Sequence, residues 1–167
     1  VRLAIISDTH LPRGKRAIPA ACVERLQEAD LILHAGDFTS IDVLRELEGL
    51  KKPLHAVHGN VDDALLRAQL PETRLVVAAG VRIGIVHDAG PAAGRIQRLR
   101  KRFPTADAVV FGHSHIPLHE TTPDLGFQIF NPGSPTDRRR QPSHTMGVAT
   151  VEDGRIAFDL VVLDQWI

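Results

Sequence analysis

Five short apolar runs each stop at a residue able to offer an oxygen or an imidazole nitrogen to a ligand. This recurrence constrains the fold more than any bulk property of the chain. Leu31-Ile32-Leu33-His34-Ala35 runs into Gly36-Asp37. Val1 to Ser7 ends in Asp8-Thr9-His10, Leu54 to His58 in Gly59-Asn60, Val81 to Val86 in His87, and Ala108 to Phe111 in Gly112-His113-Ser114-His115. Apolar runs of this length bounded by turn residues suit strands buried on both faces, as in a sheet covered by helices. Residues just beyond such strands lie at the carboxyl edge of the sheet, where α/β proteins place their ligands. A carboxylate can bridge two cations, so Asp37 becomes the hub around which the other four clusters would be shared out.

Between these runs the pattern alternates helix and strand early and becomes strand-rich late. Ile18-Pro19 opens a helix with Cys22, Val23, Leu26 and Ala29 on one face. Ser40 caps a second helix that buries Ile41, Val43, Leu44 and Leu47 and closes at Gly49. Asp62-Asp63 caps a short helix from Ala64 to Leu70, with Asp62 read as a cap in preference to a partner that supports a ligand residue, and Pro71 stops it. Arg74 to Ala79 and Val81 to His87 form a hairpin around Gly80. Pro91 starts a basic helix whose Ile96, Leu99 and Phe103 face inward. Strands follow near Asp107–Phe111, Ile116–Thr121 and Phe127–Phe130. A last hairpin over Thr145–Val151 and Arg155–Leu163 turns at Asp153-Gly154. No linker or repeat interrupts 1–167, so one α/β domain is expected, with two packed mixed β-sheets flanked by helices.

Twenty basic and twenty acidic residues cancel, which removes any global field toward nucleic acid or membrane. Aromatic residues make up 4% with no tyrosine, a poor supply for stacking single-stranded bases. General nucleic-acid binding is therefore not expected. No apolar run reaches the roughly 20 residues of a membrane span, and no signal segment is seen at the start. With a single cysteine, Cys22, read as a small buried residue, a reducing cytoplasm is the expected location.

Each donor cluster is weak alone: Asp8-Thr9-His10 suits a turn, Gly59-Asn60 suits a turn, and His87 suits a strand end. Together they supply seven candidate ligands: Asp8, His10, Asp37, Asn60, His87, His113 and His115. Carboxylate, amide oxygen and imidazole without thiolate suit Mn²⁺, Fe²⁺, Ni²⁺ or Zn²⁺ in a catalytic setting rather than a structural zinc. Two such cations about 3.5–4 Å apart can clamp the oxygens of an in-line displacement and activate a bridging water.

The order Ser7-Asp8-Thr9-His10, Gly36-Asp37, Gly59-Asn60, His87, Gly112-His113-Ser114-His115 and Asn131-Pro132-Gly133-Ser134 resembles the calcineurin-like metallophosphoesterase superfamily. It looks closest to the small single-domain bacterial and archaeal phosphodiesterase branch, which includes relatives of the retromer subunit. The resemblance implies a four-layer αββα sandwich. It implies that Asp8, His10, Asp37 and His115 hold one cation, and that Asp37, Asn60, His87 and His113 hold the other. Two divalent metal ions, Mn²⁺ first among them, would generate a bridging hydroxide that attacks a phosphate ester. In this picture Asp37, Asn60 and His87 serve catalysis through the metals, and His113 and His115 bind rather than attack.

Two positions depart from the pattern. Many relatives carry histidine after the Gly-Asn pair, where this chain has Val61, which cannot protonate a leaving group; a diesterase is therefore favoured. Asp88 stands where relatives commonly have glycine, and is either a solvated loop residue or a group that orients an imidazole or donates a proton. His34, His55, His58, His119 and His144 are read as packing or surface histidines. Arg13, Lys15, Arg16 and Arg138-Arg139-Arg140 are read as solvated loops close enough to steer a phosphate, and Arg95, Arg98, Arg100, Lys101 and Arg102 as a solvated helix face. Trp166 would pack the terminus or meet a second copy in a homo-oligomer. The leading expectation is a phosphodiesterase acting on a small-molecule ester. A phosphomonoesterase, a specific nuclease and a non-catalytic interaction scaffold remain as alternatives.

Overall fold

Two five-stranded mixed sheets face each other, and the parallel strands of both deliver their carboxyl ends to a single rim. The computed structural model describes residues 1–124 and 126–164, so the expectation for Trp166 lies outside the described residues. In chain order the elements are β1 (Arg2–Ile6), α1 (Ala20–Glu28), β2 (Leu31–His34), α2 (Ile41–Glu48), β3 (Leu54–Ala56), α3 (Ala64–Gln69) and β4 (Thr73–Ala78). They continue with β5 (Val81–Val86), α4 (Arg95–Arg102), β6 (Ala108–Val110), β7 (Leu118–Thr121), β8 (Gln128–Asn131), β9 (Thr145–Glu152) and β10 (Arg155–Val162). The first sheet runs β10-β9-β1-β2-β3 and the second β4-β5-β6-β8-β7. Strands β1, β2 and β3 are mutually parallel, as are β5, β6 and β8.

Burial follows from these positions. Central β2 is buried at all four residues, as its unbroken apolar run requires, whereas edge strand β10 mostly alternates. Leu3, Ile5, Leu33, Ile83, Ile85, Val110 and Phe130 fill the space between the sheets. Outside the first sheet, Ala4, Ile6 and Ile32 meet Cys22 and Leu26 of α1, Leu44 and Leu47 of α2, and Leu66 of α3. Outside the second, Val109 and Ile129 meet Leu99 of α4 and Phe103. The layers are therefore helix, sheet, sheet, helix. Each Leu, Ile or Phe fully buried in these seams contributes about 1.5–3 kcal/mol. Cys22 is buried in the same seam, and its burial pushes the thiol up to about 12.

Helix starts follow their caps. The Ser40 hydroxyl accepts from Asp42 N at 3.2 Å, and the Asp63 carboxylate accepts from Leu66 N at 2.9 Å. Two sequence expectations need correction here. The basic helix starts at Arg95, not Pro91, with Gly94 at its N-cap in the left-handed region (φ 68°). Its arginines are also more than a solvated face. Arg98 donates to the carbonyls of Ala89 and Pro91, Arg95 donates to Gly90 O and lies over Phe111, and Arg100 lies over Phe127. The Arg95 and Arg98 guanidiniums hold the loop that follows His87, satisfying carbonyls that no helix backbone reaches. No helix among the described residues is long and apolar enough to cross a membrane.

Candidate metal centre

All five donor clusters converge on the shared rim. Strands β1, β2 and β3 deliver Asp8 and His10, Asp37, and Asn60, while β5 and β6 deliver His87 and then His113 and His115. Strand β2 ends at His34, so Gly36-Asp37 forms a turn beyond it rather than the strand's last residues. Strand β8 adds Asn131, whose Nδ2 donates to Gly112 O, and beyond it Ser134, whose Oγ donates to Asp8 O at 2.7 Å.

The turns are crowded enough to explain their glycines. A side chain at Gly59 would strike the Asp37 carboxylate, and one at Gly112 would strike Ser7 Oγ. Where glycine is absent the backbone is strained. Asp8, His10, Asp37, His113 and His115 all have φ between 43° and 72°, a region that costs an L-residue about 1–2 kcal/mol. Strain gathered at one place is retained where the surroundings over-determine the geometry.

Both central carboxylates use their oxygens unequally. Asp8 Oδ2 accepts from Ser7 Oγ (2.7 Å) and His113 N (3.0 Å), and Asp37 Oδ1 accepts from Val61 N (3.0 Å). The other oxygen of each faces imidazoles. Asp8 Oδ1 lies 3.4 Å from His115 Nε2, 3.8 Å from His10 Nε2 and 3.9 Å from His87 Nε2. Asp37 Oδ2 lies 3.1 Å from His87 Nε2 and 3.5 Å from His10 Nε2. Two groups of ligand atoms result, Asp8–His10–His115 and Asp37–His87–His113, with the atoms of each group within 4.8 Å of one another. Asn60 Oδ1 joins the second group at 3.0 Å from both His87 Nε2 and His113 Nδ1.

Residue chemistry at these groups fits cations. Among the described residues, Asp8 Oδ1, His10 Nε2 and His115 Nε2 are buried without any hydrogen-bond partner, a costly arrangement for polar atoms that meet nothing. His87 Nδ1 lies 2.7 Å from Ala35 O, while its Nε2 faces the oxygens of Asp37 and Asn60. Both ring nitrogens thus face acceptors. Either the ring is doubly protonated, or Nε2 gives its lone pair to a cation while Nδ1–H donates to Ala35, the arrangement that orients metal-bound histidines. His115 repeats it, with Nδ1 on the carbonyl of Asp137.

Electrostatics agree. Burial alone would raise Asp8, but the facing imidazoles of His10, His115 and His87 outweigh it and hold the carboxyl below the usual range. Burial would likewise raise Asp37, and the hydrogen bond from His87 reverses it. Burial would lower His87, and Asp37 raises it instead.

Two residues do more than the sequence indicated. Asp62 is not the helix cap; Asp63 is. The Asp62 carboxylate instead accepts three backbone N–H groups, from Asp37 (3.1 Å), Thr39 (2.8 Å) and Gly59 (2.7 Å), and so locks the Asp37 turn to the Asn60 turn. His34, read as a packing or surface residue, is fully buried and stacks on Phe38. Its Nδ1 accepts from Gly36 N and its Nε2 meets Thr9 Oγ1, joining the turns that carry Asp8 and Asp37. Burial pushes it down to about 3, so it stays neutral. Asp88 is exposed and accepts from Gly90 N at 2.8 Å, the contact of a turn residue. It also lines a cleft of about 380 Å³ beside the centre, together with His58, Asn60, Arg67, Glu72, His87 and Arg102. His55, His119 and His144 pair elsewhere, with Arg74, Gln128 and Asp164.

This fold and this donor set define a metal-binding phosphoester hydrolase. Residues 1–154 match the calcineurin-like phosphoesterase superfamily domain, and the chain belongs to that family. It is 38% identical over 136 residues to a probable metallophosphoesterase of Methanothermobacter thermautotrophicus, covering 80% of this chain and 77% of that one. A phosphodiesterase of Methanocaldococcus jannaschii is 23% identical over 154 residues, with 80% of this chain and 83% of that protein covered. Among solved structures, Vps29 of Entamoeba histolytica in complex with zinc shares the fold at a TM-score of 0.75 and 20% identity, covering 98% of this chain and 100% of that one.

Proposed function

We propose that this protein is a dinuclear-metal-dependent phosphodiesterase acting on a small-molecule ester. One observation carries the reading: Asp37 Oδ2 lies within 3.5 Å of His10 Nε2 and 3.1 Å of His87 Nε2, so one carboxylate oxygen reaches both groups of ligand atoms. Asp8, His10, Asp37 and His115 would hold one cation, and Asp37, Asn60, His87 and His113 the other. When bound, two divalent cations, Mn²⁺ foremost, would neutralise phosphate oxygens and lower the pKa of a shared water for in-line displacement. The chain's own residues supply the geometry. Val61 N–H and the Asp62 carboxylate fix the Asp37 side chain and its turn, and Ala35 O and Asp137 O aim the rings of His87 and His115.

The preference for diesters rests on Val61, which is 43% exposed and presents an apolar face next to Asn60. With no proton donor there, leaving groups that depart as stable anions are favoured. The phosphodiesterase relative supports this choice. Asp88 is held by its turn, which favours a loop role over proton donation.

The test is hydrolysis of bis(p-nitrophenyl) phosphate and p-nitrophenyl phosphate by metal-stripped protein, with and without Mn²⁺ restored. His10→Ala runs in parallel. Diester turnover that needs metal and vanishes in the variant is the expected result. Preference for the monoester would overturn the reading of Val61, and turnover that survives metal removal would overturn the centre.

A further inference from the structure

The charge around the rim is lopsided. Two loops, 11–16 and 134–141, carry Arg13, Lys15, Arg16, Arg138, Arg139 and Arg140 against one carboxylate, Asp137. All the cations but half-buried Arg16 are exposed. By sequence the two loops hold five more cations than carboxylates in a chain whose formal total is zero, with the Asp164 carboxylate close to Arg138. The loops are tied together: Arg16 Nη1 lies 3.5 Å and Arg13 Nη1 3.9 Å from Asp137 Oδ2, and Thr136 Oγ1 donates to Thr9 O.

Both loops also abut the candidate metal centre. Leu11 directly follows His10, and its N–H donates to Phe38 O at 2.9 Å. Asp137 gives its carbonyl to His115 Nδ1 and its carboxylate to the arginines, so one residue connects the cationic patch to a candidate ligand. Across the rim the balance differs. Near Asn60 the exposed side chains Val61 and Leu65 are apolar, and in the adjoining cleft Arg102 is paired with Glu72 at 2.7 Å. Arg67, the other cation of that cleft, is spent on the carbonyls of Gly59, Asn60 and Asp62. Among the described residues, then, the cluster of several exposed cations beside the centre lies on the His10–His115 flank.

Resting on the phosphodiesterase reading, we infer that the patch built by loops 11–16 and 134–141 binds a further phosphate of the substrate, so that the preferred diester carries at least one phosphate besides the scissile one. Guanidinium and ammonium groups suit such an oxyanion, and the net positive charge of the patch sets a field that favours it at low salt. The remaining phosphate chemistry has two sources, a short oligonucleotide or a small bisphosphorylated molecule.

Two chromogenic esters with the same scissile bond test this: thymidine 5′-(p-nitrophenyl phosphate) and its 3′-phosphorylated counterpart. The added phosphate should lower KM roughly tenfold at low salt with little change in kcat, and the advantage should shrink as salt rises. A variant combining Arg13→Gln, Arg139→Asn and Arg140→Gln should lose that advantage while hydrolysing the singly phosphorylated ester as before; Asp137 stays in place because it holds His115, and Arg16 because it faces the Asp137 carboxylate. Equal KM for the two esters, or an advantage that survives in the variant, overturns the inference. Oligothymidylate p-nitrophenyl esters separate the sources: continued gain with each nucleotide indicates a strand, and saturation at one extra phosphate indicates a small molecule. Calorimetric titration with thymidine 3′,5′-bisphosphate separates this inference from the activity it rests on. Binding that the triple variant loses supports the patch even if neither ester is cleaved, and absence of binding to the native chain overturns it.

Discussion

The two halves of the candidate centre are built differently. Asp8 and His115 are buried and His10 is half-buried, with three polar atoms that meet no hydrogen-bond partner among the described residues. Asp37 and His87 are buried as well, but His113 and Asn60 open toward solvent, and Asn60 Oδ1 already bonds both imidazoles. A buried atom left unpartnered gains most from a cation, whereas an already bonded set must first give up its internal contacts. The unpartnered half should therefore bind first and release last, leaving the Asn60 half as the exchangeable one.

The largest expected effect breaks the comparison directly. Asp8→Ala should abolish turnover and lower metal content at both positions, because Asp8 also holds His113 N–H. His113→Ala should keep about one tightly held cation per chain, measured by elemental analysis after dialysis. Equal metal loss in the two variants would sink the distinction. Next comes Asp62→Asn, which leaves at least one of three buried N–H groups facing a donor. It should cost about 1–3 kcal/mol in denaturant unfolding and about 10–100-fold in metal affinity.

A third effect concerns pH. His34 is neutral in the fold, while the unfolded chain takes up a proton below about 6.5. Its contribution to stability is thus complete above pH 6.5 and is lost as pH falls toward 3, by at most about 1.4 kcal/mol per unit. His87, raised in the fold, acts in the opposite sense, so the measurement is the difference between native protein and His34→Gln, both metal-free. The native stability should fall more steeply below pH 6.5, and parallel curves would remove His34 from the account. The smallest effect compares His113→Gly with His113→Ala. With φ at 72°, glycine relieves strain that alanine keeps, and should unfold about 1 kcal/mol later. Indistinguishable melting would mean that the turn relaxes in both.

Much of this was legible in the sequence for a simple reason. A parallel strand buried on both faces writes an uninterrupted apolar run, and its ligand residue follows at once, as with β2 and Asp37 or β6 and His113. What escaped was carried by backbone. Asp62 sits beside a second aspartate that makes the cap, so its three N–H contacts left no local pattern. Asp137 supports His115 through a carbonyl, which every residue type possesses. His34 reads as one more residue of an apolar strand, because alternation says nothing about a ring that stacks on Phe38 and bonds Gly36. The left-handed turns at Asp8, His10 and His115 were equally invisible, since tertiary contacts, not glycine, impose them.

That the candidate ligands come from both sheets has a mechanical consequence. Asp8, His10, Asp37 and Asn60 belong to one sheet's rim and His87, His113 and His115 to the other's, with Asp8 and His113 105 positions apart. A cation held among them acts as a rivet through the sandwich, closing a long loop of chain much as a disulfide would. Loading the centre would then govern how slowly the sheets part, so resistance to proteolysis and heat would report occupancy even where no substrate is known.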